Sequence, residues 1–330
     1  MSDVCWGLLS TARINRALIP AIRDAARGRL VAVASRSAES AQRYAAEWGI
    51  LRAFGCYEAM IESDEVDAIY LSLPNHLHAE WAIRALEAGK HVLCEKPLAL
   101  SVEEVDAMAA AAAQSGTVLA EAFMYLHHPQ IALIDDWVTS GRLGTIQRLE
   151  STFCFTLDRA GNYRWDPAMG GGALWDVGVY PLSLSQWLLG GPPTHVLGHA
   201  QRNAAGVDIA FSAQMQYANG AVSQFYCGFQ SPWTMGLTVI GSEGRLVATR
   251  PFNNIDPRHA RLYVSHRGRE EAVEEMAVPQ ASLYAGEVEE MHRAILDGDA
   301  PRLSLAASRD HIRTVQALYR SAAEGAVVRV

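Results

Sequence analysis

Between Val4 and Ala120 the chain alternates short apolar runs with longer segments of helical period, and few folds accommodate that order. Apolar runs at Val4–Leu9, Leu30–Ala34, Val66–Leu73, His91–Cys94 and Thr117–Ala120 read as strands. Between them, Ile14, Leu18, Ala21, Ile22 and Ala25 step by three and four, as do Ala41, Tyr44, Ala45 and Trp48. Pro20 is expected to kink the first of these helices or confine it to one side. Gly49, Gly89 and Gly116 stand where left-handed caps close helices. Strands and helices at this spacing predict an α/β domain: a parallel sheet covered on both faces, of the kind that binds dinucleotides.

In such a sheet, ligands bind outside the carboxyl ends of the strands. The first exit is Gly7-Leu8-Leu9-Ser10-Thr11-Ala12-Arg13-Ile14-Asn15. A G-x-G-x-x-G match would need glycine where this chain has Ser10, Ala12 and Asn15. Small residues at 10 and 12 still let the backbone approach a pyrophosphate, so Ser10, Thr11, Ala12, Arg13 and Ile14 are its expected contacts. The second exit lacks the acid that would bond a ribose hydroxyl and reads Ser35-Arg36-Ser37. An arginine fork suits a 2′-phosphate, so Ser35 and Arg36 predict NADP, with NAD the alternative. Ser37 also suits a helix N-cap, with Arg36 solvated.

At the third exit, Leu73, Pro74, Asn75 and His78 are candidates for the nicotinamide end. His78 equally suits the first turn of a helix, and His76 reads as exposed. At the fourth, Pro97 ends the strand after Glu95-Lys96, and Ser101 with Glu104 forms a capping-box pattern. Glu95 and Lys96 thus stand at the ligand edge, where a lysine can hold a substrate hydroxyl or assist an acid or base. A plain surface lysine at a strand end is the competing reading.

At 330 residues the chain is long for one core, so we expect two domains, 1–121 and 122–330. Helices are expected over Gln130–Ser140, Tyr284–Leu296 and Ser308–Ala323. Val207, Ile209, Phe211, Ala213, Met215 and Tyr217 alternate with polar residues as a half-buried strand does. Asn219-Gly220 turns it back on Ala221–Phe229, and Gly236–Ile240 pairs across Gly241-Ser242-Glu243-Gly244 with Arg245–Thr249. With Ile146–Phe155 and an edge at Leu262–Ser265, these predict an α+β domain with a large, mainly antiparallel open sheet.

The second chemical stretch is Gly170-Gly171-Gly172-Ala173-Leu174-Trp175-Asp176-Val177-Gly178-Val179-Tyr180-Pro181. The glycines allow a turn and a close approach to a ligand. Beyond them Leu174, Val177, Pro181, Leu184 and Leu188 form one helical stripe, and Asp176, Tyr180, Ser183 and Trp187 another. Asp176 and Tyr180, one turn apart, can meet one bound molecule, and a tyrosine can exchange a proton with a carbonyl or hydroxyl. A solvent-facing Asp176 and a packed Tyr180 are the alternative. Pro181 is expected to bend the helix there. Tyr163-Arg164-Trp165, just before the glycines, is a candidate lid over the site, with Trp165 a candidate cofactor contact.

Other classes fit less well. The net charge is −8 with no basic run, which argues against nucleic acid. No apolar run reaches membrane-spanning length. Five scattered cysteines lack metal or redox spacing, no His/Cys/Asp/Glu set predicts a metal, and no export signal follows Met1-Ser2-Asp3, so a reducing cytoplasm is expected.

Glu95-Lys96-Pro97, with Gly170-Gly171-Gly172 and Asp176-x-Gly178-x-Tyr180, resembles the glucose–fructose oxidoreductase/inositol dehydrogenase/MocA (Gfo/Idh/MocA) family, over essentially the whole chain. Tyr180, with Phe123-Met124-Tyr125-Leu126-His127-His128-Pro129-Gln130, is similar to a branch of nucleotide-sugar 3-ketoreductases, xylose dehydrogenases and dihydrodiol dehydrogenases. The resemblance implies a Rossmann domain and an open-sheet domain. It also implies hydride transfer between NADP and a sugar or polyol, and a homodimer or homotetramer through the open sheet. It casts Tyr180 as proton donor or acceptor, assisted by Lys96, with Asp176 orienting substrate. Lys96 and Tyr180 are expected to converge on one carbon–oxygen bond. The departures at Ser10, Ala12 and Asn15 bear on cofactor affinity. A dihydrodiol dehydrogenase, a glycoside-cleaving enzyme using transient oxidation, and a non-catalytic regulatory protein on the same fold are the rival readings.

Overall fold

A computed structural model describes residues 3–253 and 259–330; the reading at Met1-Ser2 lies outside the described residues. The chain forms two compact units, Met1–Met124 with Tyr284–Arg309, and Tyr125–Leu283 with Asp310–Val330. The expected division falls once, at 121/122; the compact units divide at 124/125, and a C-terminal segment returns to the first unit.

In the first unit the elements are β1 (Val4–Leu9), α1 (Asn15–Asp24), β2 (Gly28–Ala34), α2 (Ala38–Trp48), β3 (Arg52–Phe54), α3 (Tyr57–Ile61), β4 (Ala68–Leu71), α4 (His78–Glu87), β5 (His91–Glu95), α5 (Val102–Ser115) and β6 (Leu119–Ala122). The strands pair in parallel in the order β3-β2-β1-β4-β5-β6. The order reverses between β1 and β4, the switch point at which such sheets bind ligands. Every residue of β4 is buried, as a sheet covered on both faces requires. Local signals end the helices as the sequence predicts. Ser37 caps α2, Gly49 closes it at φ 59°, and Ser101 with Glu104 completes the capping box of α5. Pro20 lies inside α1. The short β3 and α3 carry no periodic signal and were not expected.

The returning segment includes α8 (Ala285–Leu296) and begins α9 (Leu305–Glu324). Burial explains the return. The fully buried Trp6 indole donates to His292 Nε2 at 2.9 Å, and Arg27 and Arg309 pair with Asp297 and Asp106. Without α8, the large Trp6 ring would lack its aromatic neighbour 5.9 Å away.

The second unit contains α6 (Pro129–Thr139), β7 (Ile146–Thr156), α7 (Val179–Leu189), β8 (His195–Arg202), β9 (Asp208–Gln216), β10 (Val222–Gly228), β11 (Gln230–Gly241), β12 (Gly244–Ala248), β13 (Leu262–His266), β14 (Arg269–Met276) and β15 (Val328–Arg329). Its nine strands run β14-β13-β12-β11-β7-β10-β9-β8-β15. Among the described residues of this sheet, only β7 and β10 pair in parallel. Asn219-Gly220 makes the β9–β10 turn, with Gly220 at φ 85°. The almost wholly buried α7 packs against β7 and β10, so its stripes meet protein on nearly all sides. The other sheet face is open and carries a hollow of about 710 Å3, in which Leu197 and Tyr226 are 41% and 39% exposed. No described helix is long and apolar enough to cross a membrane.

Candidate active site

In the first unit, four strand exits carry the predicted residues. Pro97 stops β5 after Glu95, which places Lys96 at the carboxyl edge of the sheet. The surrounding turn is tied down by buried groups. Leu98 N–H donates to Glu121 of β6 at 2.8 Å. His78 contacts the Pro97 and Leu73 carbonyls, each at 2.8 Å, through its two ring nitrogens. Tyr70 donates to Glu95, which also accepts from Lys96 N–H at 3.2 Å.

These groups are electrostatically unusual. Burial raises the Glu121 carboxyl to about 7 against the Ser308 hydroxyl, the Leu98 amide and the Lys96 cation, which all favour its charge. Burial lowers His78, whose two carbonyl contacts both favour the protonated ring. The His78 ring is fully buried in the Leu73–Pro97 region, where its nitrogens serve the chain's own backbone. Asn75 opens a short 3-10 turn after β4, at the neighbouring exit, and is buried.

At the other two exits the donor set suits a phosphorylated dinucleotide. Ser10–Ile14 form the turn from β1 into α1. At the end of β2, Ser35 N–H bonds the Phe54 carbonyl at 3.0 Å, and Ser37 accepts from Ser40 N–H at 3.3 Å. Arg36 hydrogen-bonds Tyr57, whose phenol is raised by burial and held down by the Arg36 charge. Capping by Ser37 and an engaged Arg36 therefore coexist. The guanidinium has no acid beside it in Ser35-Arg36-Ser37, and a 2′-phosphate meets no repulsion from that stretch.

In the second unit the glycine run serves the protein's own backbone. A Cβ on Gly171 would meet the Arg164 and Asp166 carbonyls at 2.5 and 2.7 Å, and one on Gly172 would collide with Asp208. Close approach to a ligand was the sequence reading, and close approach to these groups is what the fold requires. Gly172 N–H bonds Arg164 O at 3.1 Å, while buried Asp208 accepts from Leu174 N–H and Tyr319 O–H, both at 2.8 Å. Burial raises Asp208 to about 6 in spite of those bonds.

The chain then forms a π-helical turn over Leu174–Gly178 before α7 begins, where a regular helix was expected. Such turns recur at functional sites. Asp176 is 5% exposed and pairs with Arg164 Nε at 2.6 Å, so it is not a solvent-facing acid. Burial opposes the Arg164 charge, but Asp176, Tyr163 and Tyr180 reinforce it, and the guanidinium stays charged. The Tyr180 ring sits among Phe153, Tyr125 and Phe252, with centroids at 5.3, 5.7 and 5.9 Å. Ser183 links the cluster, bonding the Tyr180 carbonyl at 3.0 Å and the Tyr125 hydroxyl at 2.7 Å. Tyr180 is thus both packed and one turn from an ion-paired acid. Trp165 donates to Arg159 O at 3.1 Å and packs edge-on to Phe229.

Lys96 belongs to the first unit, and Asp176 and Tyr180 to the second. Within the second, Arg164 and the aromatic cluster are the parts that sequence reasoning missed. Arg164 was noticed only as part of a lid. Asp208 gave no signal, because it occupies a polar position of an alternating strand. Glu121 did give one: it is a carboxylate inside the apolar run Leu119-Ala120-Glu121-Ala122. Among the described residues no group of three or more His, Cys, Asp or Glu could hold a metal.

Residues 6–123 match the profile of an oxidoreductase family with an NAD-binding Rossmann fold, and residues 131–247 match the GFO/IDH/MocA C-terminal domain. The chain is 38% identical to a D-xylose 1-dehydrogenase (NADP(+)) of Haloferax volcanii over 98% of its own length and 99% of that protein's. It is 33% identical to a dTDP-3,4-didehydro-2,6-dideoxy-alpha-D-glucose 3-reductase of Actinomadura kijaniata, over 91% of this chain and 87% of the relative. A crystal structure of a 3-ketoreductase from Actinomadura kijaniata, in complex with NADP and TDP-benzene, superposes with a TM-score of 0.91 at 30% identity, covering 97% of this chain and 98% of that one. With a parallel nucleotide-binding sheet, a large mixed sheet and both family profiles matched, this chain belongs to the Gfo/Idh/MocA family of oxidoreductases.

Proposed function

We propose that the protein transfers a hydride between NADP and a sugar or sugar-derived alcohol or ketone, with Tyr180 exchanging the proton and Lys96 supplying the assisting cation. The observation that carries this reading is the held Tyr180 phenol beside the Arg164–Asp176 pair, in a chain so similar to a D-xylose 1-dehydrogenase (NADP(+)). NADP, when bound, gives or accepts the hydride at its nicotinamide. Ser10–Ile14 would hold its pyrophosphate, Ser35 and Arg36 its 2′-phosphate, and Leu73, Pro74, Asn75 and Glu95 would border its nicotinamide end. His78 would act there through the backbone it supports.

In the oxidative direction Tyr180, as phenolate, takes the substrate hydroxyl proton, and in reduction the phenol returns it to the carbonyl oxygen. A lysine cation favours the phenolate form. Asp176, fixed by Arg164, orients substrate hydroxyls as an acceptor. The open face of the nine-stranded sheet is the surface we assign to a homodimer or homotetramer.

The test is nicotinamide absorbance across aldoses, keto-sugars and dihydrodiols, run in both directions with NADP and NAD, with sedimentation of the same preparation. Turnover on a sugar, with NADP preferred and a mass above the monomer, is expected. Turnover on dihydrodiols alone, or on none of the panel, contradicts the substrate reading, and equal use of NAD contradicts the role of Arg36.

A further inference from the structure

The turn from β1 into α1 forms with Ser10, Ala12 and Asn15 where a fingerprint would have glycines. Ser10 has φ 153°. L-residues rarely adopt such a backbone, and glycine does so freely. A serine persists there only if its surroundings hold it.

Those surroundings form a closed ring. The Ser10 hydroxyl lies 2.7 Å from the Ser72 hydroxyl. Ser72 O–H donates to Asn15 Oδ1 at 2.7 Å, and Asn15 Nδ2–H donates to the Ser10 carbonyl at 2.8 Å. With its own proton on Ser72, the Ser10 oxygen is left to accept from Ala12 N–H, at 3.0 Å. All three side chains are buried, and Asn15 fully so. Each link of the ring thus pairs a donor with an acceptor, and a buried network so connected rigidifies its surroundings.

The ring's position gives it a use. Ser10 follows β1 and Ser72 follows β4, so the ring joins the two strand exits that flank the switch point of the sheet. The Ser10 side chain is turned inward, toward Ser72 and Asn15, rather than over the outer side of the turn. We propose that the Ser10–Ser72–Asn15 ring replaces the fingerprint glycines, holding the β1–α1 turn in its strained form so that its backbone can receive the pyrophosphate of NADP. These are positioning residues, and the proposal rests on the cofactor reading above.

Binding and stability must respond differently if this is right. Ser10→Gly relieves the strain but opens the ring. Its apo melting temperature is expected to hold or rise, while the Kd for NADPH, read by fluorescence titration, rises on the order of ten-fold. Ser72→Ala leaves the strain unsupported, so melting temperature and affinity should both fall. Because the three side chains act as a unit, adding Ser72→Ala to Ser10→Gly should cost little further affinity. NADPH affinity within about two-fold of the parent in both single variants would overturn the proposal, as would fully additive losses. If the parent itself fails to bind NADPH, the cofactor reading falls as well, and that outcome is distinct from the variants matching a parent that binds.

Discussion

Glu121 shows how a single buried residue can report on the site. Its carboxyl is raised to about 7 from an ordinary value of 4.5, chiefly by burial, while it fixes the Leu98 amide beside Lys96. The folded protein therefore binds a proton there more tightly than the unfolded chain. That stabilisation is complete below about pH 4.5, declines as pH rises, and is gone above about pH 7, a span worth roughly 3 kcal/mol. Glu121→Gln keeps an acceptor for Leu98 but cannot ionise. Urea unfolding of parent and variant should show the variant gaining relative stability between pH 5 and pH 7.5. Parallel stability curves would contradict a raised Glu121.

At this scale the sequence revealed residue type better than environment. Lys96, Tyr180 and Asp176 stood out through neighbouring prolines and glycines. Of the groups around them, Glu121 was legible as a carboxylate inside an apolar run, whereas Arg164 and Asp208 stand at unremarkable positions and only tertiary packing brings them in.

The elements divide along similar lines. The strand Asp208–Gln216 and the helix Val102–Ser115 were legible because alternation, caps and turn residues are written locally. The π turn at Leu174–Gly178 was not, since apolar residues spaced by three and four do not distinguish it from an ordinary helix. Nor does any local pattern announce that β7 and β10 pair in parallel. The glycines before the π turn supply a prediction. Gly172 has φ 128°, and a Cβ there would collide with Asp208, which anchors Leu174. Gly190, at φ 79°, has nothing within 4 Å of an added Cβ. Gly172→Ala is expected to cost about 3 kcal/mol or more, whereas Gly190→Ala costs about 1 kcal/mol. Chemical denaturation checks this, and equal losses at the two positions would show that the glycine run does not shape the turn.

For the whole molecule, alternation of strand and helix disclosed the first unit, and hairpin signals disclosed the second. The return of Tyr284–Arg309 to the first unit stayed hidden, because the Trp6–His292 bond joins residues at opposite ends of the chain. The proposed chemistry also draws on both units, needing a cofactor held by one and a phenol carried by the other. The most direct test is hydride transfer by Tyr180→Phe, with NADPH binding measured on the same protein. Phe preserves the aromatic packing against Phe153, Tyr125 and Phe252 and removes the phenolic hydroxyl with its exchangeable proton. Turnover should fall by about 10²-fold or more while the NADPH Kd stays within about three-fold. A variant that turns over within a few-fold of the parent would contradict the assignment of Tyr180, and with it the mechanism proposed for this protein.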